Sequence, residues 1–438
     1  MSRQVILVII HALLGLLLAQ YRQLTGPLGI FIFFVALVHI VYSKNGKDEA
    51  AIWSAYFVGL EVVLRMTGGF VFWEMGKYVI CIFLALGLLV QESRKSIPVQ
   101  ILLYAALLVP SFSVVEFPDF ERFRQAVSFN LSGPLSLIIA SWYFFRRALS
   151  PSRFVSILRS MVFPLVTMLV YLALVTPDLS EIEYGTQSNF QATAGFGPNQ
   201  VSTMIGACIF CLVFFLFTKQ YVTGSFLFDI VLVFAFSIRG LATFSRGGLI
   251  AGVLALLVFF IVFLFRTSGV VQKGKSVVFF AFGSALLVLS WIYVDNLSQG
   301  RLTYRYQGIN YRTGQQKDIT SNRVLILEHE IGLFLSNPVF GIGPGMIREQ
   351  AVSGLFFSNT HSEYSRTLAE HGVFGLGAIL LLITFPLFHF REVPPGALPV
   401  LVGLYVLALI TMSHSAMRLA LPGFYYGLAL TFAKRSRT

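Results

Sequence analysis

The chain is a succession of apolar runs about 17–20 residues long, parted by short polar connections, and nothing else in it restricts the fold as much. Inside lipid no water is present to bond backbone amides and carbonyls. A run of this length must therefore satisfy its own polar groups, which an α-helix does within a single segment. A membrane β-barrel would show segments of about ten residues with alternating polarity, and the sequence shows no such alternation. Charged residues make up only 12% of the chain and hydrophobic ones 56%, whereas a soluble domain carries about 25% charged. The fold class expected is an all-α polytopic membrane protein in one domain, residues 1–438.

Fourteen segments read as spans: 4–20, 27–43, 50–66, 77–91, 97–115, 127–145, 155–176, 200–218, 225–243, 247–265, 276–294, 373–390, 396–414 and 417–434. Twelve is the alternative count. The first resembles a secretory signal, with Arg3 ahead of an apolar run, but no small-residue cleavage site follows, so an uncleaved first helix is expected. Placing the N-terminus in the cytoplasm gathers the basic connections on that side: Arg3; Lys44 and Lys47; Arg94 and Lys95; Arg146, Arg147 and Arg153; Lys219; Arg266, Lys273 and Lys275; Arg391; and Lys434, Arg435 and Arg437. The positive-inside rule favours this orientation, and both termini come out cytoplasmic. The net charge of +12 is thereby a matter of membrane topology rather than of nucleic-acid binding. The loop 177–199, the turn Phe244–Gly248 and the long loop 295–372 then share the outer side, the last as a cap containing short helices.

The polar chemistry gathers in those outer segments. In "SNTHSEYSRTLAEHGVFG", Ser358 to Gly375, Thr360 and Glu363 fit a capping box with Asn359 just before it, so a helix is expected from about His361 to Glu370 or His371. His361, Tyr364, Ser365 and Leu368 share one face of it; Glu363 and Arg366 point elsewhere, Glu363 as the cap. A histidine at a helix start is held neutral by the helix dipole and can take a proton. His371, at the other end, reads as structural. In "FSRGG", Arg246 precedes Gly247 and Gly248, which would let backbone approach a ligand while the arginine clamps a phosphate. The long loop adds Arg301, Arg305, Arg312, Arg323 and Arg348. Arg323 opens a run of helical periodicity, expected to lie on the membrane as an amphipathic helix that stops at Asn337-Pro338, before a glycine-rich turn. Cys208 and Cys211 form an isolated C-x-x-C that reads, like Cys81, as small buried hydrophobes. There is no HExxH, GxSxG, Walker A or GxGxxG, and no outer DxD to clamp a metal on a diphosphate. No metal site, cofactor or nucleotide is expected.

Taken in order, the "SRGG" turn opening a span, the "R…NPVFGIGPG" segment and "NTHSEYSRTLAEHGVFGLG" resemble the O-antigen ligase and O-antigen polymerase superfamily, over about Asn199 to Leu380. The resemblance implies a bacterial inner-membrane glycosyltransferase that takes a glycan from undecaprenyl diphosphate on the periplasmic side. Its acceptor would be lipid A–core in a ligase, or another lipid-linked repeat unit in a polymerase. The family's histidine matches His361, its turn arginine Arg246, and its arginine before the Pro-Gly-rich segment Arg323, with Arg312 as the alternative. The expected reaction is metal-independent and inverting, with His361 as base, Arg246 and Arg323 (or Arg312) on the diphosphate, and Tyr364 and Arg366 orienting substrate. Ligase is favoured over polymerase. The competing class, a transporter or flippase, would need charges at mid-membrane depth, for which Glu61, Arg65 and Asp229 are the candidates.

Overall fold

The computed structural model describes residues 3–91, 97–116, 119–182, 188–316, 323–352 and 360–433. Asn359, and the basic residues Arg94, Lys95, Lys434, Arg435 and Arg437, lie outside them. The helices are α1 (Arg3–Gln20), α2 (Thr25–Tyr42), α3 (Glu49–Thr67), α4 (Met75–Val90), α5 (Val99–Leu107), α6 (Phe120–Phe144), α7 (Pro151–Val175), α8 (Pro198–Thr218), α9 (Phe226–Ala242), α10 (Arg246–Arg266) and α11 (Val270–Leu297). Three short helices follow, α12 (Arg301–Gln307), α13 (Arg323–Ser336) and α14 (Met346–Val352), and then α15 (Glu363–His389), α16 (Leu398–Ser415) and α17 (Leu421–Leu428). The protein is thus an all-α, multi-pass membrane fold.

Among the described residues, nine helices are long and apolar enough to cross a membrane. The shorter apolar helices include α4 and α5, the latter continued by a 3₁₀ turn at Pro110–Val114. The expected last span, 417–434, is not one continuous helix. α17 has eight residues and is only about 12 Å long at 1.5 Å per residue. Residues 416–420 ahead of it are irregular, and they are tolerated at that depth because protein covers them rather than lipid.

The bundle is layered by exposure. α3 and α8 lie at its centre, with 83% and 89% of their most apolar windows buried, whereas α11 has 11%. On the outer helices Leu13, Phe31, Val38, Val278 and Leu289 are exposed, as lipid-facing side chains should be. Close helix packing explains the glycines of α10. A Cβ on Gly248 would lie 2.2 Å from backbone atoms of Ser202 and Thr203, and one on Gly252 would lie 2.6 Å from the Gly206 carbonyl. Gly248 therefore serves α8–α10 contact rather than ligand approach. All three cysteines are buried free thiols.

One face of the bundle carries the long loop. The opposite face carries a two-residue parallel pairing of Ala148–Leu149 with Phe432–Ala433, and the ion pairs Arg147–Asp48 and Arg146–Glu392, both 2.7 Å. Between 416 and 432 the chain therefore passes from the loop face to the far face.

The run after His361 is not a separate helix ended before a span. α15 continues from Glu363 to His389 and is broken only at Gly372, with φ +60° and ψ −139°. The glycine-rich segment repairs this break. Ile342 N–H donates to the Ala369 carbonyl (2.9 Å), Gly343 N–H to Glu370 (3.1 Å), and Val373 N–H to Pro338 (2.8 Å). A Cβ at Gly372 would stand 2.4 Å from the Val339 carbonyl oxygen. Gly372→Ala should cost about 3 kcal/mol or more, since neither backbone can yield and the dihedrals suit only glycine. Thermal unfolding of the detergent-purified variant would show it; a melting temperature equal to wild type would refute this account of the break.

Candidate active site

The site begins at the turn into α10. Phe244 takes a left-handed backbone (φ +53°), and Ser245 donates through its hydroxyl to Asn199 (3.3 Å) while accepting from Ser202 (3.0 Å). The turn brings Arg246, first residue of α10, out at the loop face. α12 closes over it. Arg246 Nη1 donates to the Arg305 carbonyl (3.4 Å) and its guanidinium lies 5.8 Å from the Tyr306 ring centre. Arg305 Nε donates back to the Phe244 carbonyl (3.3 Å). Arg323, at the start of α13, completes the group. Burial, then repulsion from Arg246 and Arg323, pulls Arg305 down to about 10; burial, then Arg246, lowers Arg323 as well. Guanidiniums held this close repel one another, and a bound anion would relieve the repulsion.

His361 lies beside this cluster. It precedes α15 by two residues, and its carbonyl accepts the Ala416 N–H (3.1 Å). Ring Nδ1 is buried with no hydrogen-bond partner among the described residues. Burial, then the charges of Arg418 and Arg323, pulls the imidazole down to about 3. The ring is therefore neutral, as expected from the sequence, but not because of the helix dipole: desolvation and two guanidiniums hold the proton off. The capping box is not formed. Ser362 is the N-cap residue and makes no side-chain cap bond. Across from His361 the buried ring of His414, in the last turn of α16, packs on Gly247, where a Cβ would lie 2.6 Å from Nδ1. Both His414 ring nitrogens lack a partner among the described residues.

A network of buried charges fixes the floor of the site. Arg366 is ion-paired with Glu363 and with Glu370 (3.1 Å to the latter), and Asn130 Nδ2 donates to Glu370. The Glu363 carboxylate also accepts the Met417 N–H (3.2 Å). From the N-terminal half, Glu61 accepts the Ala420 N–H (2.8 Å) and pairs with Arg65 (2.7 Å). Arg65 donates to the Arg418 carbonyl (3.1 Å), and Lys77 Nζ to that of Met417 (3.3 Å). Five hydrogen bonds, counting Ala416 to His361, thus strap the irregular stretch 416–420 in place. Its one charged side chain, Arg418, donates to the Thr360 carbonyl next to His361.

α13 is the helix expected before Asn337, with Val324, Leu327, Ile331 and Leu335 exposed along it. Its buried Glu330 accepts from Ser365 Oγ, while Oε1 lacks a partner among the described residues. Burial raises Glu330 to about 7, against the pull of Ser365 and Arg366. A carboxyl raised in the folded state gives stability present below its unfolded value of about 4.5 and lost as pH rises through about 7. Glu330→Gln should therefore flatten the fall in melting temperature between pH 5 and 8, removing up to about 3 kcal/mol of pH dependence. Parallel slopes for variant and wild type would refute it.

Of the residues expected from sequence, His361, Arg246 and Arg323 come together. Arg312 does not join them in the contacts described: it is exposed, with Nε donating to the Tyr311 hydroxyl (2.8 Å). Tyr364 turns its hydroxyl to the Leu409 carbonyl on α16 (2.9 Å). Arg366 is buried between its two carboxylates, and Glu363 is its partner rather than a helix cap. His371 is buried mid-helix and bonded to Ser111 Oγ (2.5 Å), a structural role. Sequence reasoning named Arg305 among the loop arginines without giving it a role, and missed His414 and Arg418. The available signal was one arginine in the apolar "SHSAMRLALPG", where Pro422 and Gly423 mark a broken span. Among curated proteins none matches this chain. Residues 230–380, which hold Arg246, Arg305, Arg323 and His361, match the family described as O-Antigen ligase. That match, over this part of the chain, supports the resemblance to the O-antigen ligase and polymerase superfamily.

Proposed function

We propose that the protein transfers a glycan from undecaprenyl diphosphate to an acceptor hydroxyl at the periplasmic face of a bacterial inner membrane, both its termini being cytoplasmic. The acceptor favoured is lipid A–core, which makes it an O-antigen ligase. The observation that carries this is His361: a buried neutral imidazole with an unpartnered ring nitrogen, set beside Arg323 and Arg418. In this reading Arg246 and Arg323, with Arg305 behind them, take the diphosphate. The acceptor oxygen bonds to the anomeric carbon, its proton passes to His361, and the bond to phosphate breaks with the electron pair leaving on undecaprenyl diphosphate. The growing negative charge falls among guanidiniums already in place, and attack opposite the leaving group inverts the anomeric centre.

Burial and cationic neighbours make His361 a weak base. A bound diphosphate offsets their field, so the imidazole becomes a better base when the donor is present. The transporter alternative finds little support in its candidate charges. Asp229 is occupied by the Val222 and Thr223 amides (2.7 and 2.8 Å), and Glu61 and Arg65 belong to the strap.

The test is purified protein with an undecaprenyl-diphosphate glycan, alone and with lipid A–core. Transfer only when lipid A–core is present supports the ligase. A ladder of longer lipid-linked glycans without it would make the protein a polymerase. An intact donor in both settings would overturn the enzyme reading.

A further inference from the structure

Beside Arg418 a narrow pocket opens between α6, α14 and the start of α15. Its rim is Thr360, one residue before His361, and its walls include Phe129, Asn130, Arg348 and Arg418. The Arg348 guanidinium lies 4.7 Å from the centre of the Phe129 ring. Asn130 is 3% exposed; its Nδ2 is used on Glu370, and its Oδ1 has no donor among the described residues. None of Arg246, Arg305 and Arg323 lines it.

We propose that this pocket binds one hydroxyl of the acceptor sugar and so helps to select the acceptor. Its size sets the first limit: about 20 Å³ is open to water-sized groups, roughly the space of one water molecule. It holds a single substituent, not a sugar ring. Its polarity sets the second. A buried acceptor atom left unmatched is costly, and only a donor can match it. A carboxylate or phosphate oxygen would face both Asn130 Oδ1 and the Glu370 carboxylate. A hydroxyl instead donates to Asn130 and accepts from Arg348 or Arg418, while the apolar face of its ring rests near Phe129. Position argues for the acceptor. In an inverting displacement the nucleophile and the leaving diphosphate stand on opposite sides of the anomeric carbon, and this pocket reaches the neighbour of the base, Thr360, while none of the three arginines assigned to the diphosphate lines it. This assignment rests on the transfer reading above. It also places part of the site outside the segment that matches the family, since Asn130 and Arg418 lie beyond residues 230–380.

The experiment measures binding of lipid A–core and of an undecaprenyl-diphosphate glycan, each alone, to the full-length protein in nanodiscs. Wild type is compared with Arg348→Ala, which alters an exposed residue of α14, and with Asn130→Leu. The expected result is a tenfold or greater weakening of lipid A–core in both variants with donor binding within twofold of wild type. Should Asn130→Leu misfold, Arg348→Ala decides alone. Equal weakening of donor and acceptor, unchanged acceptor binding, or no binding of lipid A–core by wild type would overturn the proposal. A transfer assay on the same samples separates the two readings. Absence of product with both substrates bound overturns the transfer reading, while the difference between wild type and variant still judges the pocket.

Discussion

His361→Ala is expected to lower glycan transfer by about 10²–10⁴-fold, the usual contribution of a positioned general base, with the fold intact. The side chain makes no hydrogen bond through Nδ1 among the described residues, and the turn is held by its backbone carbonyl instead. Removing the ring should therefore leave the strap at 416–420 in place. A single-turnover assay with donor and acceptor, beside size-exclusion profiles of both proteins, gives the answer. Transfer within tenfold of wild type would end the assignment of His361 as base. A companion change tests the electrostatics. A histidine is neutral above its own pKa, so lowering that pKa moves the acidic limb of the pH–rate profile to lower pH. Arg418 is the largest of the charges that lower it. Arg418→Gln should then move the acidic limb of kcat/KM upward, toward 6.5, though burial still holds it below that value. A limb that stays in place would mean that Arg418 does not act on His361.

Arg366→Met is expected to have the largest effect on stability. It would leave Glu363 and Glu370 buried without their shared cation, and stranding buried charges costs about 3–5 kcal/mol. The consequence is little folded protein in detergent extracts. Replacing all three together, Glu363→Gln, Arg366→Met and Glu370→Gln, should recover much of the yield, because neutral groups escape the desolvation penalty. Normal yield and melting temperature for Arg366→Met alone would show that the network does not carry the fold. The same logic explains why charges sit so deep here: the Glu363 and Glu370 carboxylates hold the Met417 and Gly345 amides of irregular segments that lipid could not satisfy.

The fold class was legible because apolar run length answers directly to the hydrogen-bonding demand of a lipid interior. α13 was legible from its period and from Asn337-Pro338, which ends it. His361, Arg246 and Arg323 could be singled out as residue types next to turns and glycines. The sequence also carried the neutrality of His361, but for the wrong reason. Its cause is desolvation and the nearness of Arg418, which is 57 positions away along the chain and has no periodicity to link the two. The roles of the glycines were likewise decided in three dimensions. Gly248 admits α8, and the "NPVFGIGPG" turn supplies amides to a helix broken at Gly372. A local motif does not name its partner, so each had read as a ligand loop or a plain turn. Glu61 and Arg65 read from sequence as candidate mid-membrane charges of a transporter, and packing makes them, with Lys77, the strap that aims Arg418. Short-range chemistry fixes what a segment can be, whereas burial and charge–charge effects depend on neighbours that only the folded chain brings together.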